Sequence, residues 1–119
     1  MKVLLTGSNG FVGQHVLSAF ADQDVEVKVL VRNGGGSSKD IVGDLNDLGA
    51  IKDSIKEFAP EVLVHLAWEG IPDLGLDNSL KNLKNSIDLF NICVDAGVRK
   101  IVVAGSCFEY DKKEDKKNK

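Results

Sequence analysis

The stretch Met1–Gly13, MKVLLTGSNGFVG, decides how the rest of the chain is read. Lys2 to Thr6 make a short, largely apolar run of the kind that forms a strand covered on both faces. Three glycines follow at a spacing of three, Gly7, Gly10 and Gly13, and Phe11, Val12, Val16, Leu17 and Phe20 then recur at helical spacing. The glycines therefore sit between a strand and the first turn of a helix. There, a glycine opens backbone angles closed to other residues and lets a phosphate approach the main chain, while the helix start offers free amides and the positive end of its dipole. Glycines alone are a weak signal, and a tight packing turn is the plain alternative. Strand, turn and helix together point to an anion site.

Thr6-Gly7-Ser8-Asn9-Gly10-Phe11-Val12-Gly13 resembles the cofactor loop of the extended short-chain dehydrogenase/reductases, the NAD(P)-dependent nucleotide-sugar epimerase and dehydratase group. Its glycine spacing differs from the G-x-G-x-x-G of many other dinucleotide enzymes. The resemblance implies an α/β fold, a Rossmann-like doubly wound parallel sheet of order 3-2-1-4-5. It also implies a dinucleotide held by Gly7, Asn9, Gly10, Phe11, Val12 and Gly13.

Working outward, Val25 to Val31, VEVKVLV, reads as a second strand. Arg32 follows about 20 residues past Gly13, where dinucleotide folds place the residue that reads the adenosine ribose. In the family the acid that selects NAD normally ends this strand, at the place held here by Val31. With an arginine beside it, the pattern is similar to members that favour NADP over NAD; an exposed strand-end arginine with no ligand is the alternative. Asn33 to Ser38 reads as a flexible turn with no crossover helix, and Asp40 to Val42 as a short third strand. Gly43-Asp44-Leu45 resembles the family's "GDL" segment, in which Asp44 and Leu45 would contact the adenine. Equally, Asp44 or Asp47 could cap a helix whose apolar face is Leu48, Ile51, Ile55 and Phe58.

Pro60 stops that helix, and Glu61 to Leu66 begins a fourth strand. His65-Leu66-Ala67-Trp68 is similar to the family's "HLAA" segment, which implies that Leu66, Ala67 and Trp68 line the cofactor. Trp68 departs from the small residue usual there and either shapes the substrate pocket or covers the core. His65 reads as structural rather than as a catalytic base, because nothing nearby would orient it. Gly70 to Gly75 is loop-like. The long helix after it carries Leu76, Leu80, Leu83, Ile87, Phe90 and Val94 at spacings of three and four, read as its core stripe, and Gly97 ends it as a left-handed cap. Asn82 matches an asparagine that the family places beside its active site, or is simply a solvated helix residue. Lys100 to Ala104 makes a fifth strand, and Gly105 to Tyr110 resembles the family's "SSxxVYG" segment. That alignment puts Ser106 on the catalytic serine that hydrogen-bonds the substrate; a serine satisfying its own backbone is the bland alternative.

A length of 119 residues suits one domain, and 43 % hydrophobic with 28 % charged residues is ordinary for a soluble globular protein. The net charge of -3 gives no reason to expect nucleic acid, no apolar run is long enough for a membrane span, and a cytoplasmic location is the default. Cys93 and Cys107 lack metal-ligand spacing, so no metal is expected.

The resemblance runs to Tyr110, so residues 1–110 read as an incomplete NAD(P)-binding Rossmann domain and 111–119, DKKEDKKNK, as a charged disordered tail. The family's catalytic Y-x-x-x-K is absent, since Glu114 stands four residues beyond Tyr110. The chain therefore reads as the first half of an enzyme, inactive alone, whose nucleotide-sugar substrate needs a missing C-terminal half; a regulatory NADP-binding module or an inactive gene fragment is the alternative. Right-handed crossovers place the Leu48–Phe58 and Leu76–Val94 segments on one face of the sheet and the Phe11–Phe20 helix alone on the other. An under-covered face beside an open edge at Lys100–Ala104 makes self-association an expectation.

Overall fold

Every strand of the sheet runs parallel to its neighbours, in the order β3-β2-β1-β4-β5. These strands are β1 (Lys2–Thr6), β2 (Glu26–Val31), β3 (Asp40–Val42), β4 (Val62–His65) and β5 (Lys100–Val103). They come from a computed structural model that describes residues 1–32, 40–68 and 75–104. The helices are α1 (Phe11–Ala21), α2 (Lys52–Phe58) and α3 (Leu76–Asp95). Expected order and parallel sense both match this arrangement. The segments 33–38 and 111–119, and Ser106 with Cys107, lie outside the described residues.

Alternation along the strands assigns the faces. Leu4, Leu30 and Leu63 join Ile55 and Phe58 of α2 and Leu89 and Cys93 of α3 in one buried cluster. Their neighbours Val3, Leu5, Val29 and Val64 point the other way and meet Val16 and Phe20 of α1. The helices thus divide between the faces as the crossover rule requires.

Three readings of the helices need correction. The Leu76–Val94 stripe is not core: Leu76, Leu80, Leu83, Ile87 and Val94 are 48–72 % exposed, and only Phe90 of that set is partly buried. α3 instead buries Asn82, Leu89 and Cys93, a face roughly 120° round the helix from the stripe at 3.6 residues per turn. Hydrophobic spacing found an apolar face, but another face meets the sheet, where Leu89 and Cys93 enter the core and Ser86 and Phe90 reach the buried side chain of His65. In α1, Phe11, Val12 and Leu17 are likewise exposed, and the helix reaches the sheet through Gly13, Val16 and Phe20.

The third correction concerns Leu48–Phe58, which is not one helix. A 3-10 turn at Leu48–Ala50 precedes α2, and neither Asp44 nor Asp47 supplies a side-chain cap. Asp44 instead closes a local turn: its Oδ1 accepts the backbone N–H of Asn46 at 2.9 Å and the Asn46 side-chain amide at 2.9 Å. α2 ends on Ala59 in the left-handed region, ahead of Pro60. Gly97, at φ +108, follows α3 as expected for a left-handed glycine.

Candidate functional site: a cleft at the carboxyl ends of the strands

The strands β1, β2, β3 and β4 all end at one rim, and a cleft of about 450 Å³ opens there. It lies at the β1/β4 boundary, where the strand order reverses: the chain builds from β1 through β2 to β3 on one side and then crosses back to β4 on the other, the place where open parallel sheets receive ligands.

Gly7 leaves β1 with φ +76, and a Cβ on it would stand 2.7 Å from the Ala67 nitrogen and the Leu66 carbonyl carbon. Gly13, in the first turn of α1, has no room for a side chain against the Gly7 carbonyl. Gly10 differs from both, since a Cβ there would meet only the Gly7 carbonyl oxygen, at an ordinary 3.4 Å. Packing accounts for the outer two glycines; the middle one is left bare toward the cleft that it lines. Gly10 is also the N-cap of α1, with no side-chain cap and no acidic residue in the first turn. The Gln14 N–H bonds the Gly10 carbonyl at 3.0 Å, so the amides of Phe11, Val12 and Gly13 precede the first intrahelical bond. The positive helix end is thus presented with no acidic residue in its own first turn.

Among the residues singled out from sequence, Gly7, Asn9 and Gly10 line the cleft from the turn and Arg32 from the end of β2. Leu45 lines it from the exit of β3, and Leu66, Ala67 and the exposed Trp68 from the exit of β4. Trp68 therefore shapes the cleft rather than sealing the core. Phe11, Val12 and Gly13, expected to hold the cofactor, do not line the cleft; they follow Gly10 in the first turn of α1, and the Phe11 side chain is 82 % exposed against His15. Asp44 stays outside the lining. Its carboxyl lies below the ordinary carboxylate value because of the Asn46 backbone hydrogen bond first, the Asn46 side-chain amide, and the charges of Arg32 and Lys81, against opposition from burial. Asn82 is buried on α3, where its amide donates to the Asn78 carbonyl at 3.0 Å, and it does not line the cleft.

Thr6, Ser8, Leu30 and Gly43 also line the cleft and were given no role from sequence. Thr6 carried a usable signal: a threonine at the buried end of a largely apolar strand needs a partner that an apolar residue does not. That partner is His65, and the expectation that nothing orients the ring is wrong. Thr6 Oγ1 lies 2.6 Å from His65 Nδ1, and Ser86 Oγ lies 3.0 Å from His65 Nε2. Both partners are distant in sequence and meet the ring only through the sheet and α3. Burial holds the His65 pKa below its ordinary value of 6.5, which suits the structural role read for it.

Residues 3–119 match the model of the NAD dependent epimerase/dehydratase family. The chain belongs to that family. It is similar to GDP-L-colitose synthase of Yersinia pseudotuberculosis, 30 % identical over 117 residues, covering 94 % of this chain and 35 % of the relative. Among solved structures it resembles the UDP-Glc/GlcNAc 4-epimerase of Campylobacter jejuni, with a TM-score of 0.78 and 25 % identity over 93 % of this chain and 39 % of that one. A short-chain dehydrogenase/reductase superfamily protein of Agrobacterium tumefaciens with bound NAD gives a TM-score of 0.69 and 26 % identity, covering 89 % of this chain and 33 % of that one. The chain of this epimerase/dehydratase family member thus spans about a third to two-fifths of the length of these relatives. Among the described residues, no group of three or more His, Cys, Asp or Glu side chains is placed to hold a metal ion, and no helix is long and apolar enough to cross a membrane.

Proposed function

We propose that the cleft holds a dinucleotide with its pyrophosphate over the N-terminus of α1, and that this domain is the cofactor-binding part of an enzyme acting on a nucleotide sugar. The observation that carries this reading is the bare Gly10 at an uncapped helix start, between two glycines that packing already explains. Leu66, Ala67 and Trp68 form the opposite wall, where the nicotinamide half would lie. When bound, the nicotinamide would accept and return a hydride at a sugar carbon. Ser106 would hydrogen-bond the reacting sugar oxygen, as the family resemblance implies. A cytoplasmic setting is part of the same proposal.

The preference proposed is NADP over NAD. Val31 and Arg32 line the cleft where an acid would exclude a 2′-phosphate, and Arg32 supplies a cation there. A charge-assisted contact of about 1.5–3 kcal/mol corresponds to roughly ten- to a hundredfold in affinity. Titration of both dinucleotides checks this: NADP should bind more tightly, and Arg32→Ala should remove the difference while moving NAD affinity little. Equal affinities in the parent protein would end the argument for NADP.

A second reading concerns these 119 residues by themselves: they bind the dinucleotide without turning anything over, since proton exchange with the sugar oxygen needs a group such as the tyrosine of a Y-x-x-x-K, and Tyr110 has Glu114 four residues on. Dinucleotide binding with no hydride transfer to or from any nucleotide sugar supports this reading for the 119 residues; turnover that Ser106→Ala abolishes excludes it.

A further inference from the structure

We propose that His65 is a positioning residue for the dinucleotide cleft, acting through the Thr6 hydroxyl to hold the Leu66–Ala67 wall at a fixed distance from the glycine turn. The proposal rests on the reading of the cleft as a dinucleotide site and adds to it a residue that does not line the cleft.

Counting donors assigns the bonds. The Leu66 N–H donates both to the Thr6 carbonyl, at 3.2 Å, and to Thr6 Oγ1, at 3.1 Å, while the Ala67 N–H donates to the same Oγ1 at 3.2 Å. A hydroxyl oxygen has two lone pairs and one proton. With both lone pairs engaged by amides, the proton points to His65 Nδ1 at 2.6 Å. Nδ1 is then the acceptor, the ring proton sits on Nε2, and Nε2 donates to Ser86 Oγ at 3.0 Å. The ring is 4 % exposed and meets Phe90 edge-on, with centroids 5.7 Å apart, so it has no room to turn toward other partners.

The consequence reaches the cleft because the two segments so tied are its walls. A Cβ on Gly7 would stand 2.7 Å from the Ala67 nitrogen, so the turn already lies in contact with the segment whose amides Thr6 holds. If Oγ1 lost its acceptor, the hydroxyl would rotate to find another, and its lone pairs would leave the two amides. A protonated ring would do the same, since Nδ1–H would face an oxygen with no lone pair left.

Among the described residues, the groups in contact with the ring are neutral: Thr6 from β1 and Ser86 and Phe90 from α3, with Val103 its register partner on β5. The charged residues of α3 (Asp77, Lys81, Lys84, Asp88 and Asp95) and Lys100 of β5 are exposed. Burial alone lowers the pKa, and it favours the neutral form that the clamp needs.

Two conservative replacements cut the chain of bonds at different places. The side-chain oxygen of His65→Asn falls near the place of Nδ1 and accepts from Thr6, but cannot reach Ser86. His65→Gln reaches Ser86 and leaves Thr6 without its acceptor. Titrating NAD and NADP into the parent protein, both variants and Thr6→Val should show His65→Asn within about threefold of the parent, and His65→Gln and Thr6→Val weakened about tenfold or more. Thermal melts of the same proteins separate this from lost stability, because both His65 variants lose a buried bond and should melt lower together. Equal affinity losses in the Asn and Gln variants would overturn the proposal. So would a ring proton found on Nδ1 by long-range nitrogen–proton NMR of the parent protein, a measurement that needs no variant to fold. If the parent binds neither dinucleotide, the reading of the cleft has failed. The ring proton and the exchange protection of the Leu66 and Ala67 amides then still show whether the clamp exists.

Discussion

The two faces of the sheet are closed by different means. Against α2 and α3 the core contains Leu4, Ile55, Leu63, Leu89 and Cys93, all fully buried, with Phe58 and Val98 nearly so. Against α1 only Val3, Leu5, Val29 and Val64 are buried, and the helix adds two partly buried side chains, Val16 and Phe20. The first face is a core; the second is a row of three valines and Leu5 under one helix whose Phe11, Val12 and Leu17 are exposed. Stability should therefore reside on the α2/α3 side, while the glycine turn that leads into α1 serves the cleft.

The sharpest way to break this contrast is to empty each face. Ile55→Ala should cost about 2–5 kcal/mol in denaturant unfolding, because the site is fully enclosed and collapses poorly. Val64→Ala on the other face removes two buried methyl groups, for about 1.6 kcal/mol at ~0.8 kcal/mol per group. Equal losses per carbon removed, three for Ile55 and two for Val64, would mean that the α1 face is as well closed as its partner.

A smaller effect should come with acid. His65 belongs to the α2/α3 side, and its folded pKa lies below 6.5 because of burial. Above 6.5 the ring is neutral in folded and unfolded chains alike, so its contribution to stability is fully present. As pH falls below 6.5, the unfolded chain takes up the proton first, and stability drops until the folded pKa is passed. Unfolding measured across this window should show the slope in the parent protein and lose it in His65→Asn. An unchanged slope would place the acid sensitivity elsewhere.

The smallest stability change is expected on the outer side of α3. Leu80→Ala or Leu83→Ala should move stability within about 0.5 kcal/mol, since both side chains are more than half exposed. If that stripe mediates self-association, Leu80→Glu with Leu83→Glu should shift sedimentation toward a monomer without lowering the melting point. A large loss of stability from either alanine would return the stripe to the core.

Buried Cys93 sharpens the contrast from the chemical side. Burial pushes its thiol up to about 12, so it behaves as one more apolar side chain of the closed face.

The architecture was legible because its signals are local. A buried strand, three glycines and a helix within Met1–Ala21 imply a βα unit, and repetition of strand and helix implies a parallel sheet whose order and crossovers matched. Many candidate cleft residues were legible for the same reason, since they stand at strand ends. Two kinds of fact were not. Spacing along α3 shows that an apolar stripe exists, but which face meets the sheet depends on what the sheet offers, here His65 aligned with Ser86 and Phe90. Partners such as Thr6 and His65, or His65 and Ser86, are distant along the chain and become neighbours only when β1, β4 and α3 pack together. Residue type and order determined the fold and the rim where a ligand would sit. Tertiary packing alone decided which side chains are buried, because burial and long-range hydrogen bonds belong to the assembled layers and not to any one segment.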